Sequence, residues 1–292
     1  MFCPATTSPD DNPWSDFRTD PPADWMQNVY SHAQWLALFP DRRSLFRLPG
    51  VGIWTVQCDY MHTKYLGADQ YFFGSVLWVM VYLLLPGTPV DNIAVVWQAS
   101  ETYYIQNGTP CRYSGITLRM FAYSDSGYPK LKGKAGEIRH FGHALHDIWL
   151  ASMDRDDEFH RNIELGLRAS CQMEFLLDKH ADEFVFPPDD ALLFLEWTCL
   201  YCQVQSKMAN YRRQQIFNIT MKHHYLIHCA SRAGSLNPRL GWCFRGEDYM
   251  NYIRGLSHSC LPGTPKIGVS KKIVVKAVRA LHFQMTGIRR NM

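Results

Sequence analysis

"CDYMHTKYLGADQYFFGSVLWVMVYLLL", residues 58–85, joins an acid and a histidine three positions apart to an almost unbroken apolar run. If that run spans a bilayer, the chain is a membrane protein; if it is a core helix, the polar residues before it mark the edge of a globular domain. From Tyr71 to Leu85 it covers fifteen residues and includes Gly74 and Ser75, short of the roughly 20 apolar residues a spanning helix needs. Pro86 and Gly87 end it, and extension the other way meets Gln70 and Asp69, which are costly in lipid. The run therefore reads as a buried helix, and no membrane partner is expected.

Length and composition agree. A chain of 292 residues with 47% hydrophobic and 14% aromatic content can bury a sizeable core and is not a disordered sequence. Lys and Arg exceed Asp and Glu by only 30 to 27, but the cations cluster at Lys130, Lys132 and Lys134, at Arg212 and Arg213, and at Lys271 and Lys272. Any anion-binding surface must then be local. Nine scattered cysteines form no even framework, and the Cys199/Cys202 pair has no second pair to complete a zinc knuckle. Reduced thiols and the lack of a secretory pattern in "MFCPATTSPDDNPW" give a nuclear or cytoplasmic, not secreted, expectation.

Residues 52–59, "GIWTVQCD", are β-branched and aromatic and alternate from Trp54 onward, which predicts a strand ending at Asp59. A carboxylate there suits a catalytic or metal-binding role in an α/β sheet, because the strand fixes it while the loop beyond stays open. Asp59 as a helix N-cap, with a half-buried His62, accounts for "DYMH" equally. Most of the remainder reads as helix: residues 90–108, 136–153, 156–181 and 189–213, with a short strand near 117–121. The Pro/Asp-rich start makes residues 1–45 a flexible segment ahead of one body at 46–292, and the predicted class is α/β but predominantly helical.

Histidines mark two places. His140, His143 and His146 drift around a helix and read as surface or satisfied core residues. His224 and His228, at i,i+4, share a face and could join a structural zinc site, but Tyr225 stands where a metalloprotease needs glutamate. Further on, "LGWCF" reads as a short strand or an extended entry, and Glu247 lies in the first turn of a helix, where its dipole favours a carboxylate.

The order "CDYMH", apolar helix, long helical stretch, "KHHYLIH" and "FRGED" resembles the catalytic domain of eukaryotic RNase H-like DDE transposases, the CACTA-like group in particular, as in transposase-like reading frames of protists. The resemblance runs from about Trp54 to Cys260 and rests on a few short motifs. It implies a partial RNase H-like core with a large all-α insertion at about 88–215. Asp59 and Glu247 would be the catalytic carboxylates and hold Mg²⁺ or Mn²⁺, with His62 in support. Lys222, His224 and His228 match the segment before the last acid. DNA is the implied partner, homo-oligomerisation is compatible, and Lys130, Lys132, Lys134, Arg212, Arg213, Lys271 and Lys272 are the candidate phosphate contacts.

Two-metal phosphoryl transfer needs three or more acidic groups from different elements. The usual first aspartate is not evident: Asp16, Asp20 and Asp24 sit among prolines, and Asp41 is close to Asp59. The expectation is an incomplete or domesticated, transposase-derived DNA-binding protein with residual metal-dependent chemistry. Its alternative is a non-catalytic helical protein-interaction scaffold.

Overall fold

The computed structural model describes residues 13–27, 31–38, 48–51, 55, 57–122, 127–211 and 216–285. These fold into helices. Two short ones, α1 (Asp24–Gln27) and α2 (His32–Leu38), precede α3 (Tyr60–Thr63), α4 (Asp69–Val79), α5 (Pro89–Gln106), α6 (Leu118–Phe121), α7 (Ala135–Ser152), α8 (Glu158–Lys179), α9 (Pro188–Tyr211), α10 (Met221–Ala230), α11 (Phe244–Cys260) and α12 (Lys266–Met285). The chain divides into two compact units, Met1–Trp242 and Cys243–Met292.

The predominantly helical character holds, but the α/β class does not extend to the described residues: their only β pairing is a single bridge between Thr19 and Pro22. Residues 57–59 run without regular structure into α3, while 52–54 and 56 lie outside the described residues. Asp59 is thus the N-cap of a helix, with β-region backbone and a carboxylate accepting from the Met61 amide. The stretch expected as a strand near 117–121 is α6, and "LGWCF" becomes a 3₁₀ turn at Pro238–Gly241 followed by the start of α11. β-branched and aromatic residues fit a half-buried strand only where a sheet exists to receive them.

Caps set the long helices where the sequence signals them. The Thr88 hydroxyl accepts from the Asp91 amide and Pro89 opens α5, while Gly108, at φ +57°, lies just beyond its end. Asp157 accepts from the amides of Phe159 and His160 to start α8. That helix buries Phe159, Ile163, Leu167, Ser170, Met173, Glu174 and Leu177 at helical spacing.

The apolar run becomes the central helix of the first unit. In α4, Phe72, Phe73, Val76 and Leu77 are all at most 1% exposed. Phe72 packs edge-on against Tyr201 of α9 at 5.5 Å and faces Gly166 of α8; Phe73 faces Gly142 and Phe141 of α7. Among the described residues no helix is long and apolar enough to cross a membrane.

Two π turns flank α4, Lys64–Ala68 before it and Met80–Leu84 after it. The first departs from helical geometry at Leu66 (φ −90°, ψ 23°). It turns Lys64 inward, where its ammonium meets Asp69 Oδ2 at 2.8 Å, Ser170 Oγ at 2.9 Å and Glu174 Oε1 at 3.2 Å. Tyr201 donates to Asp69 at 2.6 Å, Tyr65 to Glu174 at 3.0 Å, and Arg139 of α7 to Glu174 at 2.8 Å. Arg139 and Arg239 both pair with Asp178, and both guanidinium groups lie over the Trp242 ring. The charged interior so links α4, α7, α8 and α9.

Burial acts against the Lys64 ammonium, but the attraction of Asp69 and Glu174 outweighs it and its pKa is raised. Burial likewise acts against the Glu174 carboxylate, and Lys64 and Arg139 overcome it, holding the group at about 2. For Asp69 burial prevails over Lys64 and Tyr201, and its pKa is raised.

Removing the Lys64 cation leaves Asp69 with Tyr201 but no countercharge and takes from Glu174 one of its two cations. We expect Lys64→Met to cost about 3–5 kcal/mol, read as a lower denaturant midpoint, whereas an unchanged midpoint would show that the network relaxes without its centre. In Gly74→Ala the new Cβ would lie 2.6 Å from the Leu131 backbone nitrogen. A backbone neighbour cannot swing away as a flexible side chain can, so a loss of about 1–3 kcal/mol is expected in the same denaturation assay.

Candidate functional site

Asp59 and His62 meet at the start of α3. The carboxylate's Oδ1 accepts from the Met61 amide at 3.0 Å, and its Oδ2 is hydrogen-bonded to Nδ1 of His62. Their side chains are 24% and 41% exposed, so solvent reaches both. Capping uses one carboxylate oxygen and histidine the other, so the group is built into the local fold. Asp59 lies in the first unit and Glu247 in the second. Glu247 stands in the first turn of α11, where its own amide donates to the Cys243 carbonyl at 2.8 Å.

Lys222 fills a structural role that the sequence does not signal. Its ammonium donates to the Leu66 carbonyl at 2.6 Å, at the residue where the π turn leaves helical geometry. Gly67 leaves room for the lysine stem: a Cβ there would lie 2.6 Å from Lys222 Cδ. Burial, aided by the nearby charge of Lys130, lowers the lysine pKa.

His224 and His228 do face each other on α10, as their spacing predicts, with Nε2 to Nε2 at 2.9 Å and rings 4.4 Å apart. Trp25 of α1 covers them, its ring 4.2 Å from His224 and 5.1 Å from His228. Burial lowers their pKa values to about 4 and about 3 respectively, with each neighbour's charge adding to the effect on His228. A neutral donor facing a neutral acceptor fits this contact. Among the described residues no third His, Cys, Asp or Glu joins the pair in ligand geometry, so the structural-zinc expectation finds no ligand set. The adjacent His223, fully buried and lowered to about 4 by burial, bonds Gln205 Oε1 at 3.0 Å and the Thr220 carbonyl at 3.2 Å.

His146 meets Glu164 at 3.3 Å, and burial lowers the pKa values of His140 and His143, in keeping with core and surface positions. Of the expected phosphate contacts, Lys130 lies over the Tyr71 ring at 5.0 Å, and the Lys134 backbone amide donates to Glu137 at the start of α7. Lys132 and Lys271 are exposed, whereas Lys272 donates to Thr264 at 2.7 Å. Arg212 and Arg213 lie outside the described residues.

The sequence gives little warning of a thiol pair beside this region. Cys58, just ahead of Asp59, and Cys229, next to His228, are neighbours: the Cys229 thiol donates to the Cys58 backbone carbonyl at 3.5 Å. The neighbouring Cys229 thiol lowers the Cys58 pKa to about 7 against the opposing effect of burial, while the proximity of Cys58 and burial raise that of Cys229. Only tertiary contact could pair residues so far apart in the chain.

No family model matches this chain, and no curated protein or solved structure is detectably similar to it.

The three buried histidines make stability depend on pH. Their folded pKa values of about 3 to 4 lie below an unfolded value near 6.5, so the unfolded state binds more protons between those limits. Stability should be fully present above about 6.5 and fall steadily as pH drops toward 4, with depressed Glu174 adding to the loss below about 4.5. Thermal melts from pH 7.5 to 4.5 check this, and nitrogen NMR at pH 5.5 should find all three rings neutral. An imidazolium signal from any of these three rings in the folded protein, assigned by substitution among the twelve histidines, would contradict the buried packing.

Proposed function

We propose that the chain is a non-catalytic, DNA-binding helical protein whose C-terminal unit supplies the phosphate contacts. The supporting observation is the distribution of charge. Nine of the 30 Lys and Arg residues, but only two of the 27 Asp and Glu residues, fall in positions 243–292. A chain of net charge +3 is thereby split into an acidic first unit and a strongly basic second one. Helix α12 carries Lys266, Lys271, Lys272, Lys276 and Arg279 and no acid.

Within that helix the cations divide by role. Lys272 and Lys276 turn toward the preceding segment, donating to Thr264 at 2.7 Å and to the Ser259 carbonyl at 3.2 Å. Lys266, Lys271 and Arg279 are exposed, and Arg245 and Arg254 of α11 are exposed as well. Such cations favour a polyanion by releasing its condensed counterions, a contribution independent of sequence and strongly weakened by salt. The non-catalytic part of the reading rests on Asp59, Lys222, His224 and His228, each of which is engaged in capping or packing.

A second reading keeps the transposase origin, an RNase H-like ancestry and residual Mg²⁺- or Mn²⁺-dependent phosphoryl transfer. It is favoured by one observation, that the side chains of the expected Asp59 and His62 pair do meet.

Fluorescence anisotropy with a labelled duplex tests both. Affinity should fall roughly 10- to 100-fold between about 50 and 200 mM salt, and a Lys266→Ala, Lys271→Ala, Arg279→Ala triple variant should flatten the log–log slope by up to about 0.9 per contact removed. Binding unchanged in the triple variant would remove this surface from the account, and binding to acidic vesicles but not to duplex would reassign it to a membrane surface. Mg²⁺-dependent duplex cleavage lost in Asp59→Ala would favour the second reading over the first.

A further inference from the structure

We propose that Cys58 and Cys229 form a redox-active dithiol that a peroxide converts to a disulfide, tying the entry of α3 to α10. The two cysteines are 171 positions apart in sequence, yet the Cys229 thiol donates to the Cys58 backbone carbonyl at 3.5 Å. They line one shallow recess with Gln57, His228 and Arg232. A disulfide requires the sulfurs to close to about 2.05 Å, with a Cβ–S–S–Cβ dihedral near ±90°. With the Cys229 thiol already against the Cys58 backbone, that approach needs side-chain rotation and an adjustment of the irregular segment before α3.

Their unequal exposure assigns the roles. Cys58 is partly exposed on the unstructured residues 57–59, whereas Cys229 is 1% exposed within α10. An incoming oxidant therefore meets Cys58 first. Its thiolate attacks one oxygen of the peroxide, the O–O bond breaks, and the departing hydroxide takes up a proton to become water, leaving Cys58 as a sulfenic acid. The sulfur of Cys229 then attacks the Cys58 sulfur. The S–S bond forms, the S–O bond breaks, and the leaving hydroxide combines with the proton of the Cys229 thiol as a second water. Two thiols have given up two electrons and two protons, and one hydrogen peroxide has been reduced to two waters.

This site differs from the Cys199 and Cys202 pair on α9, which is at most 2% exposed, with Cys202 Sγ directed at the His223 carbonyl oxygen at 3.7 Å. Its oxidation would bridge α10, which carries the neutral His224 and His228 pair under Trp25, to the start of α3. The proposal is independent of DNA binding.

The test treats the reduced full-length protein with a stoichiometric amount of hydrogen peroxide, blocks the remaining thiols and maps peptides by mass spectrometry. The expected product is one cross-linked pair containing Cys58 and Cys229, about 2 Da lighter than the sum of the reduced peptides and restored by dithiothreitol. Cys229→Ser should stop the reaction at a Cys58 sulfenic acid that dimedone traps, and Cys58→Ser should leave Cys229 unoxidised. A cross-link confined to another cysteine pair, or oxidation of Cys58 that never reaches Cys229 in the wild-type protein, would overturn the proposal. Because the wild-type map reads the bond directly, a variant that fails to fold does not decide the outcome.

Discussion

The first unit is organised around a lysine with no route to water. Lys64 is 1% exposed, and an ammonium in such a place survives only if charges of opposite sign surround it. Asp69 comes from the first turn of α4, and Ser170 and Glu174 come from α8, one turn apart on its buried face. Tyr201 fixes Asp69 from α9, and Arg139 fixes Glu174 from α7. Each helix must keep its register and depth for the others to remain satisfied. Such an arrangement adds specificity of packing more surely than it adds net stability.

The π turn makes this arrangement possible. An ordinary α-helix through residues 64–68 would rotate Lys64 relative to Asp69, and the departure at Leu66 leaves a carbonyl that Lys222 of α10 satisfies. The same residue the resemblance places beside a catalytic centre thus closes an irregular turn in the core. His224 and His228 follow the same pattern: their i,i+4 spacing brings the rings together, and Trp25 with the surrounding burial keeps them neutral. Metal ligation and a dry histidine contact demand the same spacing on one helix. What separates them is the surrounding donor set.

Charge is distributed differently in the second unit. Its helices bury little, with Cys260 alone fully buried in α11, and they expose Tyr249, Met250, Ile267, Val274 and Val278 beside the cations. An exposed surface that is both basic and apolar can contact phosphates through its charges while its aliphatic groups lie against sugars or bases. A basic C-terminal unit and an acidic first unit give the chain a charge asymmetry that its small net charge conceals.

The helices at 89–106, 135–152, 158–179 and 188–211 were legible because caps and apolar periodicity are local signals. The burial of residues 72–77 followed from a run too short for a bilayer and closed by Pro86, although Tyr82 and Leu83 near its end are exposed. The expected strand at 52–59 is not found at residues 57–59, which enter α3 as irregular chain: alternation states which residues can line a sheet, and no sheet among the described residues receives them. The meeting of Asp59 with His62, and of His224 with His228, was fixed by spacing alone, since three or four positions is one helical turn. Neither the Cys58–Cys229 contact nor the Lys64 network could be read in that way. The Cys58–Cys229, Lys64–Ser170, Tyr65–Glu174 and Tyr201–Asp69 contacts each join residues more than a hundred positions apart, and only the packing of the helices against one another decides which side chains meet. Sequence by itself determined the long helices α5, α7, α8 and α9 and the absence of a long apolar span among the described residues; tertiary structure decided which polar groups are satisfied in the interior, because desolvation penalises every buried charge whose partner does not arrive.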